Sequence, residues 1–528
     1  MPAGPPGPGG DEAGPGTPAR RRPGGGLGAG LVTVPWVEVR DPAAAIMAVP
    51  VVPEAHRFCS RCDAEVGRGR EGVPGRVSGY CGTCRQPFSF EPNLHPGDLV
   101  ADQYRVVGCL AYGGLGWIYL ARDERVSDRW VVLKGMLDRQ DPEAALAAAA
   151  ERQFLARVEH PNVVRIYNFV QHHGAGYIVM EYVGGRTLRE LLEERRQASG
   201  GRGPLPVEQA IAYVLGILPA FAHLHGLGLA YNDLKADNVM LQGGDVKLID
   251  LGAVTRLDDP GAIVYGTDGY QAPEVARHGA SVASDLYSIA RCLALLALDF
   301  PGTRPEYRYR LPTPEQEPLL ARHDSLHRFL RRGTAERPSE RFRSADEMAE
   351  QLFGVLREVV AVERGTWVPA TSTLFGDDLH PLHAAAGAPA VEPDWRHLPA
   401  VTVDPGDPAS SLVLNVTRLG DPALRLAMLR EAAEHGRVPD TAEARLSLAR
   451  ALIETEAYRE ADERLAGAAG AHPHDWRAGW YRGLSLLAQG RAAGAREEFE
   501  RVCSRLPGEL APKLALGLAA ELDGDLAA

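Results

Sequence analysis

Two sets of residues in this chain have types and spacings that could do chemistry. Cys59-Ser-Arg-Cys62 and Cys81-Gly-Thr-Cys84 are C-x-x-C pairs separated by 18 residues. A pair at that spacing can place two sulfurs on one side of a turn, and two such turns complete a tetrahedral four-thiolate site for zinc or iron. In a module of about 45 residues the metal would stand in for a core that the chain is too short to build. Structural zinc supplies roughly 10–16 kcal/mol of apparent folding free energy. Four ordinary thiols or two disulfides are the alternative, and the paired spacing favours metal. The second set is Asp233-Leu-Lys235-Ala-Asp237-Asn238, followed 12 residues later by Asp250 in Lys247-Leu-Ile-Asp250-Leu251-Gly252. Carboxylates, an amide and an ammonium at these intervals suit a reaction that needs charge neutralisation and in-line positioning. An acidic surface turn is the plain alternative.

The segments around the second set resemble those of protein kinases, in order. Ala111-Tyr-Gly113-Gly114-Leu-Gly116-Trp-Ile118 follows the apolar run Tyr104–Leu110 and resembles the Gly-rich phosphate loop, with Ala111 in place of the first glycine. Val131-Val132-Leu133-Lys134 reads as a strand ending in a lysine, and Val132 replaces the usual small alanine, narrowing the expected adenine pocket. In kinases this lysine holds the α/β-phosphates and pairs with a glutamate on the next helix. Ala145–Ala156 is helical in composition, and its central acid Glu151 is the expected partner, with Glu143 the fallback for a shifted register. Tyr177–Val183 resembles the strand into the hinge, where backbone groups of Glu181 and Val183 would meet adenine.

The resemblance implies roles. Asp233 would orient the acceptor hydroxyl and take its proton, Lys235 would stabilise the transferring phosphate, and Asn238 and Asp250 would bind Mg2+ or Mn2+. Gly266-Thr267-Asp-Gly-Tyr270-Gln-Ala272-Pro273-Glu274 resembles the end of an activation segment, Asp285 a brace for the catalytic loop, and Arg341 the buried partner of Glu274. Lys235 and Thr267 are typical of Ser/Thr kinases. Tyr231-Asn232 stands where His-Arg is usual, so an activation-loop phosphate would lack its arginine. Activity independent of phosphorylation at Thr255 or Tyr265 is expected.

Composition frames these motifs. The 528 residues predict three or four folded units at roughly 100–200 residues each. A formal net charge of −12 argues against nucleic acid and anionic membrane surfaces as partners. No apolar run approaches the roughly 18 residues that span a bilayer; the longest candidate, Ile289–Phe300, is interrupted by Arg291. The N-terminus lacks an apolar signal core, and a cytoplasmic protein is expected. Residues 1–50 read as a Gly/Pro-rich tail, 51–98 as the cysteine module, 99–362 as one two-lobed enzyme and 363–410 as a linker.

From 411 to 528 the composition turns Ala/Leu/Arg/Glu-rich, and Pro439, Pro473 and Pro507 fall at 34-residue intervals. In the same frame Ala449, Gly483 and Gly517 coincide, as do Ala461 and Ala495, and Leu465 and Phe499. Small residues at helix contacts, a large apolar neighbour and a closing proline resemble the tetratricopeptide repeat (TPR). The third repeat runs out near Ala528, so an incomplete or otherwise capped array is expected. The expected fold is thus multidomain α+β: a two-lobed kinase fold between a small metal knuckle and an α-helical TPR-like solenoid.

The cysteine knuckles resemble rubredoxin, which uses iron, although zinc fits the same geometry. Such knuckles, a kinase with Tyr-Asn-Asp, and TPR helices in that order resemble the PknG family of actinobacterial Ser/Thr kinases, as do AYGGLGWIYLA, VVLKG, YNDLK, KLIDLGAV and GELAPKLAL. The resemblance covers about residues 55–528. It implies ATP-dependent phosphorylation of proteins, a metal module packed on the kinase lobes, and TPR-assisted homodimerisation. It also implies substrates among forkhead-associated (FHA) domain regulators of glutamate metabolism. Thr17 is an isolated candidate for a substrate-docking phosphosite. Two roles stay open for the four-cysteine centre: structural support, or thiolates that respond to oxidants. A nucleotide-binding pseudokinase scaffold is the alternative from another class, and a small-molecule kinase is a third.

Overall fold

The computed structural model describes residues 27–39, 41–59, 61–62, 64–69, 72–113, 116–135, 152–201, 203–259, 261, 264, 266–302, 304–366, 368–369, 371–376, 394–436, 439–471 and 474–525. Glu143, Glu151, Gly114, Tyr265, Pro473 and Thr17 lie outside them.

The cysteine module holds one hairpin, β1 (Ser78–Tyr80) and β2 (Pro87–Ser89), paired antiparallel. Next comes an antiparallel sheet of β3 (Leu99–Val100), β4 (Tyr104–Gly113), β5 (Gly116–Asp123), β6 (Arg129–Gly135), β7 (Ile166–His172) and β8 (Ala175–Glu181), in the order β3-β4-β5-β6-β8-β7. Strand alternation decides what each face of this sheet meets. Trp117, Tyr119, Val131, Leu133, Tyr177 and Val179 share a core with Cys59, Val66, Cys81, Phe90 and Leu94 of the cysteine module. Ile118, Val132, Ile178 and Met180 face the opposite way, into the core continuous with the helical lobe.

The helical lobe contains β9 (Arg186–Thr187), α1 (Leu188–Ala198), α2 (Val207–Gly226), β10 (Leu229–Ala230), β11 (Val239–Gln242), β12 (Asp245–Leu248), β13 (Thr255–Arg256), α3 (Val275–His278), α4 (Val282–Ala297), α5 (Pro318–Arg322), α6 (Asp324–Gly333) and α7 (Ala345–Arg364). Local sequence starts these helices. Thr187 and Glu190 form a capping box at α1, Ser281 and Ser284 another at α4, and Ser344 caps α7. α2 is longer than the Ile289–Phe300 run and, at 20 residues, is long and apolar enough to span a membrane. Its apolar residues, among them Ile211, Val214, Ile217, Leu218, Phe221 and Leu224, are instead buried in the lobe.

Residues 27–39 and 41–50 correct the reading of a tail. Leu27 is buried, and a side chain at Gly216 of α2 would strike it at 2.3 Å, so α2 leaves a socket for that leucine. Val37 pairs with Gly243, Arg364 donates to Leu31 O, and Met47 N donates to Cys109 O. The apolar Leu31–Val39 run is what makes this possible: Val32, Val34 and Val37 are all buried. Residues 27–39 and 41–50 therefore run as a strap from the helical lobe to the sheet.

The described C-terminal residues hold the helices α8 (Ser410–Thr417), α9 (Pro422–Glu434), α10 (Ala442–Glu454), α11 (Tyr458–Ala471), α12 (Trp476–Ala488), α13 (Ala492–Arg505) and α14 (Leu510–Leu522). Its core is separate from the kinase core and centres on Trp480 and Phe499. Gly483 and Phe499 show the repeat logic: a methyl at Gly483 would sit 2.5 Å from the Phe499 ring. The segment read as a linker is partly built in as well, since Phe375 pairs with Val401 and packs its ring on Trp476 and Trp480.

Candidate active site and metal centre

The catalytic-loop residues sit between β10 and β11, where the chain leaves the end of α2. Tyr231 N and Asn232 N donate to the Asp285 carboxylate at 2.7 and 2.8 Å, and His225 Nε2 lies 3.0 Å from the same group. Asp285 is 1% exposed, so α4 braces the loop from within, as the sequence suggests. Asn232 takes a left-handed conformation (φ 70°), which asparagine tolerates. Its amide donates to Ala253 O at 2.8 Å and to Thr255 Oγ1 at 2.9 Å. Tyr231 is fully buried, and burial holds its phenol far above the usual range.

Asp233 is oriented by three side chains. Thr267 Oγ1 donates to Oδ1 at 2.6 Å, Lys235 Nζ lies 2.9 Å from Oδ2, and Asn238 Nδ2 reaches Oδ2 at 3.2 Å. Lys235 also bonds Thr267 Oγ1 at 3.1 Å. Asn238 Nδ2 donates to Asp233 O at 2.8 Å, which leaves its Oδ1 as the acceptor for a cation. Asp250 accepts from Gly252 N at 2.8 Å and faces Lys134 at 2.6 Å. Lys134, Asp233, Lys235, Asn238 and Asp250 thus converge where the sheet meets the helical lobe.

Lys134 is buried on β6, and in this state its ion-pair partner is Asp250. Its expected partner Glu151 lies outside the described residues; the neighbouring Arg152–Arg157 forms a 3-10 turn. Ala111 and Gly113 pair across the hairpin with Ile118 and Gly116, and Gly116 holds a φ of 115° that favours glycine. Val132 lies on the inner face of the sheet with Ile118. Glu181 N is bonded to Arg165 O and its carboxylate to Lys247 at 2.8 Å, so the hinge role left to Glu181 is that of a carbonyl acceptor. Val183 packs beside that strand end. Arg341 clasps Glu274 through two bonds of 2.6 and 2.9 Å.

The four cysteines also converge. Their sulfurs lie within 4.8 Å of one another, with Cys59–Cys84 at 3.5 Å and Cys62–Cys81 at 3.6 Å. A tetrahedron with metal–sulfur bonds of about 2.3 Å needs sulfurs about 3.8 Å apart, so the set fits a metal ion. Amides of Cys84 and Thr83 point at Cys81 and lower its thiol to about 6, while the amide of Arg61 lowers Cys59. Aromatic contacts lead from this module toward the phosphate loop: Phe90 against Tyr112 at 5.9 Å, and Tyr112 against Trp117 at 5.2 Å.

One charged residue escaped the sequence reading, although its signal was on view. Arg291 interrupts the apolar run of α4, and the structure gives it no exposed surface and a set of backbone carbonyls as partners.

Comparison with known proteins brings these parts under one description. A protein kinase domain model matches residues 104–352, a protein kinase G rubredoxin domain model residues 18–94, and a protein kinase G tetratricopeptide repeat model residues 390–528. The serine/threonine-protein kinase PknG of Mycolicibacterium smegmatis is 45% identical over 525 residues, covering 94% of this chain and 67% of that protein. PknG of Mycobacterium leprae is 45% identical over 537 residues, covering 94% and 68%. The solved kinase domain of Mycobacterium tuberculosis PknI covers 50% of this chain and 98% of its own, at 27% identity and a TM-score of 0.38.

Proposed function

The chain belongs to the PknG family of serine/threonine protein kinases, and from that premise we propose which of its residues transfer the γ-phosphate of ATP to Ser and Thr of proteins. The observation that carries the assignment is the anchoring of Asp233 by Thr267, Lys235 and Asn238. Asp233 takes the proton of the acceptor hydroxyl, and Lys235 Nζ, 2.9 Å away, meets the transferring phosphate. Asn238 Oδ1 and the Asp250 carboxylate hold the divalent cation, which when bound neutralises phosphate charge. Lys134 is the buried cation at hand for the α/β-phosphates, with Glu151 as its partner in the nucleotide-bound state. Ala111, Gly113, Gly114, Gly116, Ile118 and Val132 cover the nucleotide, and Glu181 and Val183 meet its base.

An assay with labelled ATP, Mg2+ and protein acceptors tests this. Wild type incorporates phosphate, and Asp233→Asn and Lys134→Met lose it by at least about 100-fold. Incorporation no higher than in these variants would favour the pseudokinase scaffold. The acid set Asp233 and Asp250 and the orienting Lys235 speak for an active enzyme.

Activation-loop phosphorylation is not required in our reading, because the Asn232 amide already ties the segment at Ala253 and Thr255 with no phosphate. In the same assay, phosphatase-treated protein starts at the untreated rate; a lag or a large drop sinks this point. For the four-cysteine centre we propose a structural metal whose thiolates can also report oxidation to the phosphate loop through Phe90, Tyr112 and Trp117. Peroxide that oxidises the cysteines without changing kinase rate would reduce the metal to support alone. The family resemblance is the ground for proposing a cytoplasmic setting, FHA-domain substrates in glutamate metabolism, and dimers through the repeats.

A further inference from the structure

Arg291 has no exposed surface and, among the described residues, no carboxylate on any of its nitrogens. A buried guanidinium without an acid is costly unless its donors are satisfied, and burial lowers its pKa here. The donors are spent on four backbone carbonyls: Nε on Gly269 at 2.8 Å, Nη1 on Arg310, and Nη2 on Gly302 and Tyr307, each at 2.9 Å. One planar fork therefore fastens Gly302, Tyr307 and Arg310 to Gly269. Gly269 is two residues beyond Thr267, whose hydroxyl sits 2.6 Å from Asp233. The segment 304–310 is thus a fixed wall beside the place where an acceptor hydroxyl must arrive.

That wall is basic. Arg304, Arg308 and Arg310 are exposed on it, against one acid of its own, Glu306. Arg308 already grips a carboxylate: Asp268, the residue after Thr267, lies 2.5 Å from its Nη2. The guanidinium thus holds a carboxylate carried one residue from a hydroxyl that reaches Asp233, the arrangement that an acceptor flanked by an acid would present.

We propose that the segment 304–310 makes this kinase select acceptor sites flanked by acidic residues, with Arg308 as the principal contact. A Glu or Asp next to the phosphorylated Ser or Thr shares or replaces the Asp268 contact, and Arg304 and Arg310 add attraction. The proposal rests on the kinase reading above and deepens it by naming the substrate class.

The test uses the full chain with ATP and Mg2+ and three peptides, in which one Thr is flanked on both sides by Glu, by Gln or by Lys. Wild type is expected to favour the Glu over the Lys peptide about tenfold in kcat/KM. Raising ionic strength should shrink the ratio. Arg308→Glu is expected to invert it, and Arg304→Ala/Arg308→Ala/Arg310→Ala to bring it near one. Turnover of the Gln peptide with equal rates for Glu and Lys overturns the proposal while leaving the kinase reading intact. So does a preference that survives in both variants. Phosphorylation of none of the three peptides counts against the kinase reading and the proposal together.

Discussion

The two modules attached to the kinase are held in opposite ways. Among its described residues the cysteine module has two three-residue strands and no separate core: Cys59, Val66, Cys81, Phe90 and Leu94 share one apolar cluster with Trp117, Tyr119 and Val131 of the sheet. Polar ties border that cluster, among them Trp117 Nε1 to Phe90 O at 3.2 Å, Asn93 N to Tyr119 Oη at 2.9 Å and Gly97 N to Val106 O at 2.9 Å. The repeats have a separate core and meet the helical lobe through polar groups. Arg328 pairs with Glu500 at 2.5 Å, Lys513 with Glu358, Arg505 with Glu340 O at 3.0 Å, and Gly508 N with Gln351 Oε1 at 3.0 Å. A module too small to fold alone merges with its neighbour, whereas one with its own core can dock by hydrogen bonds and charge.

If that contrast is right, the largest effect comes from metal loss. Replacing Cys81 and Cys84 by serine should unfold the module and raise amide exchange in β4 and β5 with it, because the apolar cluster is shared. Unchanged protection in those strands after metal loss would separate the two cores. An intermediate effect is expected at Gly508. A methyl there would meet the Gln351 carbonyl at 2.2 Å, so Gly508→Ala should detach the repeats from α7 while leaving their helical signal and melting intact. Small-angle scattering would show an expanded particle; an unchanged radius would mean the contact yields. The smallest effect belongs to Lys513 and Glu358. A double-mutant cycle of Lys513→Met and Glu358→Gln should give a coupling of about 1 kcal/mol or less that falls with salt. A salt-insensitive coupling of several kcal/mol would make that interface behave like a buried one.

The resemblance of these regions to known motifs was legible at very different depths. The catalytic segment could be read because Asp233, Lys235 and Asn238 lie within six residues, and a loop that short brings them together whatever surrounds it. The cysteine pairs read clearly for the same reason, and Gly483 against Phe499 is the repeat pattern turned into packing. The strap at 27–39 and 41–50 was hidden because its neighbours are Gly/Pro-rich, while its binding energy comes from Leu27, Val32, Val34 and Val37 meeting helices almost 200 residues away. Arg291 read as a break in an apolar run.

What the sequence by itself determined is therefore the local chemistry: the thiolate spacing, the catalytic loop, the caps of the helices and the 34-residue period. Each of these depends on neighbours within a turn or two of chain. Only the tertiary structure decided that Lys134 faces Asp250, that alternate residues of β5 divide between the metal module and the opposite face of the sheet, and that a buried arginine fastens Gly302, Tyr307 and Arg310 to Gly269. The physical reason is that burying a charge, or choosing the face a strand presents, is settled by which distant backbone and side-chain atoms arrive to satisfy it.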